Sequence, residues 1–216
     1  MIISPLELIH ETNEDEGPLL LRATFWPATR PAELTPMNGI IFIELGAFVE
    51  SKLGPGAWKK LLEEAGLGFP LYVPIQDYPD QDAMTLIAAA ARLTGTEPQA
   101  LLDAFGEFIV PDLVKTFGHL INPAWRTLDL IEHTEQTIHQ SLRRSTPHVK
   151  PPALRCVRPS PDEVTIFYTS RRRLCAVAKG IAKGVAKHYG EKISVTEPAC
   201  MLKGDVQCEI QVSLVK

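Results

Sequence analysis

A chain of 216 residues with 45% hydrophobic and 22% charged residues has the balance of a globular protein with one sizeable core, and is short for two full domains. The formal charge of −4 argues against a general nucleic-acid binder, and no apolar run reaches the roughly 18 residues of a membrane helix. The opening MIISPLELIHETNEDEG lacks a basic start and turns acidic where a cleavage region would lie, so no secretory signal and a cytoplasmic location are expected.

Residues 1–36 carry Pro5, Pro18, Pro27, Pro31 and Pro36 beside an acidic patch and read as an irregular extension, which makes Met37 a second candidate start. The patterned part is 37–216. From Met37, the apolar residues Ile40, Ile41, Leu45, Phe48, Val49 and Leu53 recur at helical spacing until Gly54 and Pro55 stop them. AWKKLLEEAGL predicts a second helix, closing on Gly66 and Gly68. DQDAMTLIAAAARLTG predicts a third, its acidic first turn suited to the helix dipole and its final glycine to a C-cap. EPQALLDAFGEFIVPDLVKTFG reads as one helix or two, kinked near Pro111. NPAWRTLDLIEHTEQTIHQSLRR predicts one long helix capped by Asn122, with Pro123 at its first position.

The second part changes character. PHVKPP breaks the chain, ALRCVRP and EVTIFYTS read as strands joined at SPDE, RRLCAVAKGIAKGVAKHYG as a helix, and KISVTEPAC and CEIQVSLV as two further strands. An N-terminal helical subdomain followed by a four-stranded antiparallel sheet with one embedded helix is the α+β class.

Among six histidines, the period of the long helix singles out one. Ala124, Leu128, Ile131, Ile138 and Leu142 form an apolar stripe with His139 at its edge, while His133 falls on the far side with Gln136, Thr137, Gln140 and Arg144. His139 is therefore expected to point inward and His133 to be solvated. Taken alone, such a histidine is more often a core residue bonded to a carbonyl than a ligand. In the strand EVTIFYTS and the residues after it, alternation puts Tyr168, Ser170 and Arg172 on one side, a phenol, a hydroxyl and a guanidinium that together suit an acid. Taken alone, Tyr168 is an ordinary strand aromatic and Arg172 a surface charge. No nucleophile with a base beside it, phosphate-binding glycine loop or carboxylate pair stands out, so the chain does not read as an enzyme.

Together, the start MNGIIFIELGAFVESKLGPGAWKKLLEEAGL, the helix ending in TIHQSL, the PP whose second residue lies thirteen after His139, and the Tyr168-x-Ser170-x-Arg172 triplet resemble the haem nitric-oxide/oxygen-binding domain, H-NOX, of the stand-alone bacterial type. The resemblance covers 37–216. It implies haem b held between the helical part and the sheet, with His139 as axial ligand of the haem iron and Pro152 packed on the macrocycle. Tyr168, Ser170 and Arg172 would bind the two propionates, through a guanidinium fork and charge-assisted hydroxyl bonds. Ile41 and Leu45 would face the open side of the iron, with Leu113 and Phe117 as pocket wall. Where oxygen-holding members carry a tyrosine, nine residues after the motif tyrosine, this chain has Val177, and Ile181 one turn later is apolar too. The resemblance thus implies a five-coordinate ferrous haem that binds nitric oxide, with carbon monoxide as a second candidate, and discriminates against oxygen, which needs a donor. The chain lacks room for an output domain, so the signal would pass to a separate histidine kinase or diguanylate cyclase, with no membrane or nucleic acid involved.

The four cysteines, Cys156, Cys175, Cys200 and Cys208, are more often thiols or metal ligands than disulfides in such a compartment. Cys200 and Cys208 flank MLKGDVQ, a turn between strands, and Cys175 opens the helix after the triplet. Some bacterial members bind zinc through three cysteines at such positions and a histidine three residues before the middle one. Here Glu197 stands in that place, which leaves the fourth ligand open, with Cys156 as a substitute. Thiolate oxidation would then add a redox response. The alternative reading is a haem-free zinc-binding module for a small ligand, resembling 4-vinyl-reductase-type domains, with His139 as core. A haem peroxidase is remoter, because the apolar distal residues offer no acid or base.

Overall fold

The computed structural model describes residues 36–146 and 149–215. The extension expected at 1–36 lies, apart from Pro36, outside the described residues, as does His148. The chain opens with β1 (Pro36–Asn38), α1 (Gly39–Leu53), α2 (Ala57–Glu64), β2 (Asp77–Pro79), α3 (Asp80–Thr94), α4 (Pro98–Phe108) and α5 (Val110–Phe117). Then come α6 (Thr127–Thr134), a π-helical segment (Glu135–His139), α7 (Gln140–Ser145), β3 (Ala153–Ser160), β4 (Glu163–Thr169), α8 (Cys175–His188), β5 (Ile193–Ala199) and β6 (Cys208–Leu214). The expected α+β architecture is present.

Local chemistry sets the boundaries. Asn38 caps α1 by accepting the Ile40 amide at 3.0 Å. At the far end of α1, the Glu50 carboxylate accepts the amides of Gly56 and Trp58, satisfying donors that the start of α2 would otherwise leave orphaned. The stretch around Pro111 resolves into two helices that meet at Ile109. The short β1–β2 ladder, with Met37 opposite Tyr78, has three residues a side, too few for a period to announce it.

The long helix departs most from expectation. Asn122 caps only a turn, accepting the Ala124 amide on its side chain and the Trp125 amide on its carbonyl, each at 2.9 Å. Helix α6 starts five residues later, where the Asp129 and Glu191 carboxylates accept the amides of Arg126 and Thr127 at 3.0 and 3.1 Å. Beyond Thr134 the backbone widens, and the Gln140 amide reaches back to the Glu135 carbonyl. The Thr134 and Thr137 hydroxyls bond the carbonyls of Leu130 and His133 at 2.7 and 2.8 Å, competing for acceptors that a tight α-turn would use. His133, expected to be solvated, is half-buried: its ring stacks on Trp125 at 4.7 Å and its Nδ1 lies 2.8 Å from the Asp129 carbonyl.

The sheet has the order β3-β4-β6-β5, antiparallel throughout. One face packs Val164, Ile166, Ile210 and Val212 against Leu128 and Ile131 of α6 and Ala182 of α8. A second core gathers Phe42, Leu45, Phe48, Leu62, Leu86 and Phe105 among the N-terminal helices. Helix α8 joins the two parts by lying directly on α4. A Cβ at Gly180 would overlap the Asp103 carbonyl and one at Gly106 the Val177 carbonyl, so only glycine permits this approach. Ion pairs Lys183–Asp103 (2.7 Å) and Lys187–Glu107 (3.1 Å) flank the contact. Among the described residues no helix is long and apolar enough to cross a membrane.

Candidate functional site

The short segment 150–154 links two groups of polar side chains. At one end, His139 closes the π segment with its side chain 14% exposed, and its Nδ1 lies 3.1 Å from Oε2 of Glu135, the residue that opens the segment. Glu135 is held by more than the imidazole. Arg143 donates to both of its oxygens and the Leu154 amide donates to Oε2 at 3.1 Å. Arg143 Nη2 also donates to the Pro152 carbonyl at 3.2 Å, which ties the proline to the same network. Burial pushes the Glu135 carboxyl up, but the bonds from Arg143, His139 and Leu154 outweigh it and hold the group below the usual carboxylate range. His139 is shifted down, because burial of the imidazolium outweighs the attraction of Glu135, so the ring is neutral at pH 7. A neutral imidazole bonded through Nδ1 presents a lone pair at Nε2.

At the other end lie Tyr168, Ser170 and Arg172. The strand expected to carry all three stops at Thr169, and Ser170 and Arg172 sit in the turn that follows, where Ser170 Oγ accepts the Arg172 amide at 3.2 Å. The turn still gathers them. Tyr168, 3% exposed, is hydrogen-bonded to Ser170, and burial pushes its phenol up to about 12. Arg172 is no surface charge: Nη1 donates to the Lys150 carbonyl at 3.1 Å and Nη2 to the Pro36 carbonyl at 2.8 Å. Its Nε lies 3.4 Å from Oδ2 of Asp80 without hydrogen-bond geometry, leaving a buried N–H with no acceptor. Leu154 connects the ends, since its amide donates to Glu135 and it faces Tyr168 across the β3–β4 ladder.

Ile41, Leu45, Leu113, Val177 and Ile181 all pack in or against the helical core cluster that includes Phe42 and Phe105, whereas Phe117 does not. None of these five side chains carries a hydrogen-bond donor. The network around Glu135 was missed in the sequence, although the signal was there: an acid four residues before the histidine and an arginine four after it.

A third cluster lies under the sheet. The ligating atoms of Cys175, Glu197, Cys200 and Cys208 are all within 4.8 Å of one another, with Cys175 and Cys200 sulfurs 3.7 Å apart. Lys179 pairs with Glu197, whose other oxygen is buried without a partner, and the Met201 amide donates to Cys208 Sγ at 3.2 Å. The expected substitute, Cys156, lies apart on β3 with its thiol on the Ile131 carbonyl. Burial, reinforced by Glu132 and Glu135, pushes that thiol up to about 11. The folded protein therefore holds this proton more tightly than the unfolded chain does. The stability it contributes is intact below the ordinary thiol pKa of about 8.5 and is lost as pH rises toward 11. The melting temperature of the reduced protein should fall between pH 9 and 11, and Cys156→Val should flatten that fall.

An α+β domain that sets a neutral buried imidazole and a cluster of acid-seeking donors at the two ends of one short segment is built to hold a ligand. The chain belongs to the haem-NO-binding family, whose sequence profile matches residues 38–197, and the domain is an H-NOX domain, of a family of haem-based gas sensors. The solved structures it resembles include the H-NOX protein of S. oneidensis in its Fe(II)NO ligation state, with a TM-score of 0.78 and 24% identity over 83% of this chain and 100% of that one. Another is an H-NOX mutant of T. tengcongensis, with a TM-score of 0.73 and 17% identity over 83% and 98%. A curated relative, the soluble guanylate cyclase gcy-31 of Caenorhabditis elegans, is 24% identical over 138 residues, 63% of this chain. The chain spans 20% of that relative's length.

Proposed function

We propose that residues 37–216 bind haem b and sense nitric oxide, with His139 as the axial protein ligand and Tyr168, Ser170 and Arg172 as the grip on the propionates. The observation that carries this reading is the buried Arg172 Nε, a charged donor without an acceptor beside two arms that rest on neutral carbonyls. A carboxylate is a better partner for all three, so the donor set fits the acid groups of haem. When bound, the haem supplies a ferrous centre with one axial position open to a diatomic gas. His139 would offer Nε2, Pro152 would pack on the macrocycle, and Ile41, Leu45, Leu113, Val177 and Ile181 would line the gas side. With no donor among them, bound oxygen gains no hydrogen bond, while nitric oxide needs much less help. Carbon monoxide is a second candidate ligand.

If the gas loosens the iron–imidazole link, His139 stays tethered through Nδ1 to Glu135, and the displacement passes along the π segment to Leu154 and the sheet. A gas can bias two conformations only by its differential affinity for them. The output partner we infer is a separate protein, a histidine kinase or a diguanylate cyclase, in the cytoplasm.

Zinc on Cys175, Cys200 and Cys208, with Glu197 as fourth ligand, is a further part of the reading, supported by the 4.8 Å cluster. Stoichiometric zinc in protein purified under reduction supports it, and metal-free protein removes it. The test of the main reading is an anaerobic absorption spectrum of the reduced protein before and after nitric oxide. A Soret band that shifts with nitric oxide and gives no stable oxygen form in air is the expected result. Absence of any Soret band after reconstitution would overturn it in favour of the haem-free zinc module.

A further inference from the structure

The Glu135 carboxylate is better anchored than any structural need of the helix explains. It accepts from Arg143, from the Leu154 amide and from His139 Nδ1, and so spans the π segment, α7 and the first turn of β3. Its side chain is 22% exposed, so these bonds are partly shielded from water. Two acceptors compete for the His139 ring proton, a charged one at Glu135 and a neutral one at the Pro152 carbonyl. Arg143 Nη2 already occupies that carbonyl at 3.2 Å, which leaves the carboxylate as the imidazole's partner. The backbone reinforces the pairing: in a π segment, with its wider turn, residues four apart fall nearly in line along the axis, and Glu135 and His139 are its first and last residues.

We propose that Glu135 is a positioning residue for His139: its carboxylate fixes the Nδ1–H tautomer, aims Nε2 at the iron and makes the imidazole a more strongly donating ligand. The inference rests on His139 being the haem ligand. A carboxylate behind a metal-bound histidine raises the basicity of the ligating nitrogen, and loss of such partners typically costs about 10- to 100-fold in metal affinity. In this chain the effect would tune how readily a gas separates His139 from the iron, and Arg143 would moderate it by sharing the negative charge.

The test is Glu135→Gln in the haem-loaded ferrous protein, read by the iron–histidine stretching frequency in resonance Raman and by haem transfer to an acceptor globin. Glutamine keeps the shape and an acceptor oxygen and removes only the charge, so a merely structural role would leave the frequency where it was. The expected result is a lower frequency and transfer roughly 10- to 100-fold faster. Arg143→Gln, which unclamps the carboxylate without removing it, should not lower the frequency, and keeps the test open if the first variant folds poorly. An unchanged frequency in haem-loaded Glu135→Gln, or a lowered one in Arg143→Gln, overturns the proposal alone. A wild-type protein that takes up no haem overturns the haem reading and the proposal with it.

Discussion

Replacing His139 by alanine is expected to give a folded protein that retains no haem through purification and shows no Soret band. The substitution removes a side chain 14% exposed, but Glu135 keeps its bonds to Arg143 and the Leu154 amide, so no buried charge is stranded. The stability cost should be about 1–3 kcal/mol for one lost partner, or roughly 3–10 °C in melting temperature at this chain length. The haem cost is far greater, because the site offers a single axial protein ligand, and what remains is the grip of Tyr168, Ser170 and Arg172. Circular dichroism and absorption on the same sample separate the two effects. Added imidazole should restore a Soret band if the cavity left by the ring admits it; a variant that keeps wild-type haem content would remove His139 from the site.

The largest loss of stability is expected elsewhere, at Gly180→Val. The α4–α8 contact is so close that even a methyl group at Gly180 would overlap the Asp103 carbonyl, and backbone cannot move aside as a side-chain tip can. The helices would have to part, stretching the Lys183–Asp103 pair and opening the packing around Phe105, Val177 and Ile181. Overpacking typically costs about 1–3 kcal/mol, and more where backbone is struck, so a fall of roughly 6–12 °C in melting temperature follows at about 3 kcal/mol. Gly118→Ala is the matched control, since nothing lies within 4 Å of a Cβ there. Equal melting of the two variants would show that the helices are less tightly seated than the structure has them.

Much of the fold was legible because its elements carry strong periods. The four sheet strands alternate cleanly, and the helices before residue 118 end at glycines or break at Pro111. What stayed hidden depended on partners far along the chain. The start of α6 is fixed by Glu191, some sixty residues later, so Asn122 and Pro123 looked like the better cap. A π segment leaves no signature in a 100° projection, and that is why His133 came out on the wrong side while His139, near the stripe, did not. The site was legible as residue types rather than as geometry. The Tyr168, Ser170 and Arg172 alternation named the right three groups for a strand that ends before two of them. The spacing of Cys175, Cys200, Cys208 and Glu197 gave their cluster, but could not reveal that Lys179 shares it.

The wide turn at Glu135–His139 also bears on how such a chain tolerates insertions and deletions. A π segment is an α-helix with one residue to spare, and removing that residue would let the helix run on unbroken while turning everything after it by about 100°. Gln136, the exposed member of the segment, is therefore dispensable for the helix and indispensable for the phase. The chain's length at this point, more than the identity of any one side chain in it, decides which way the imidazole faces.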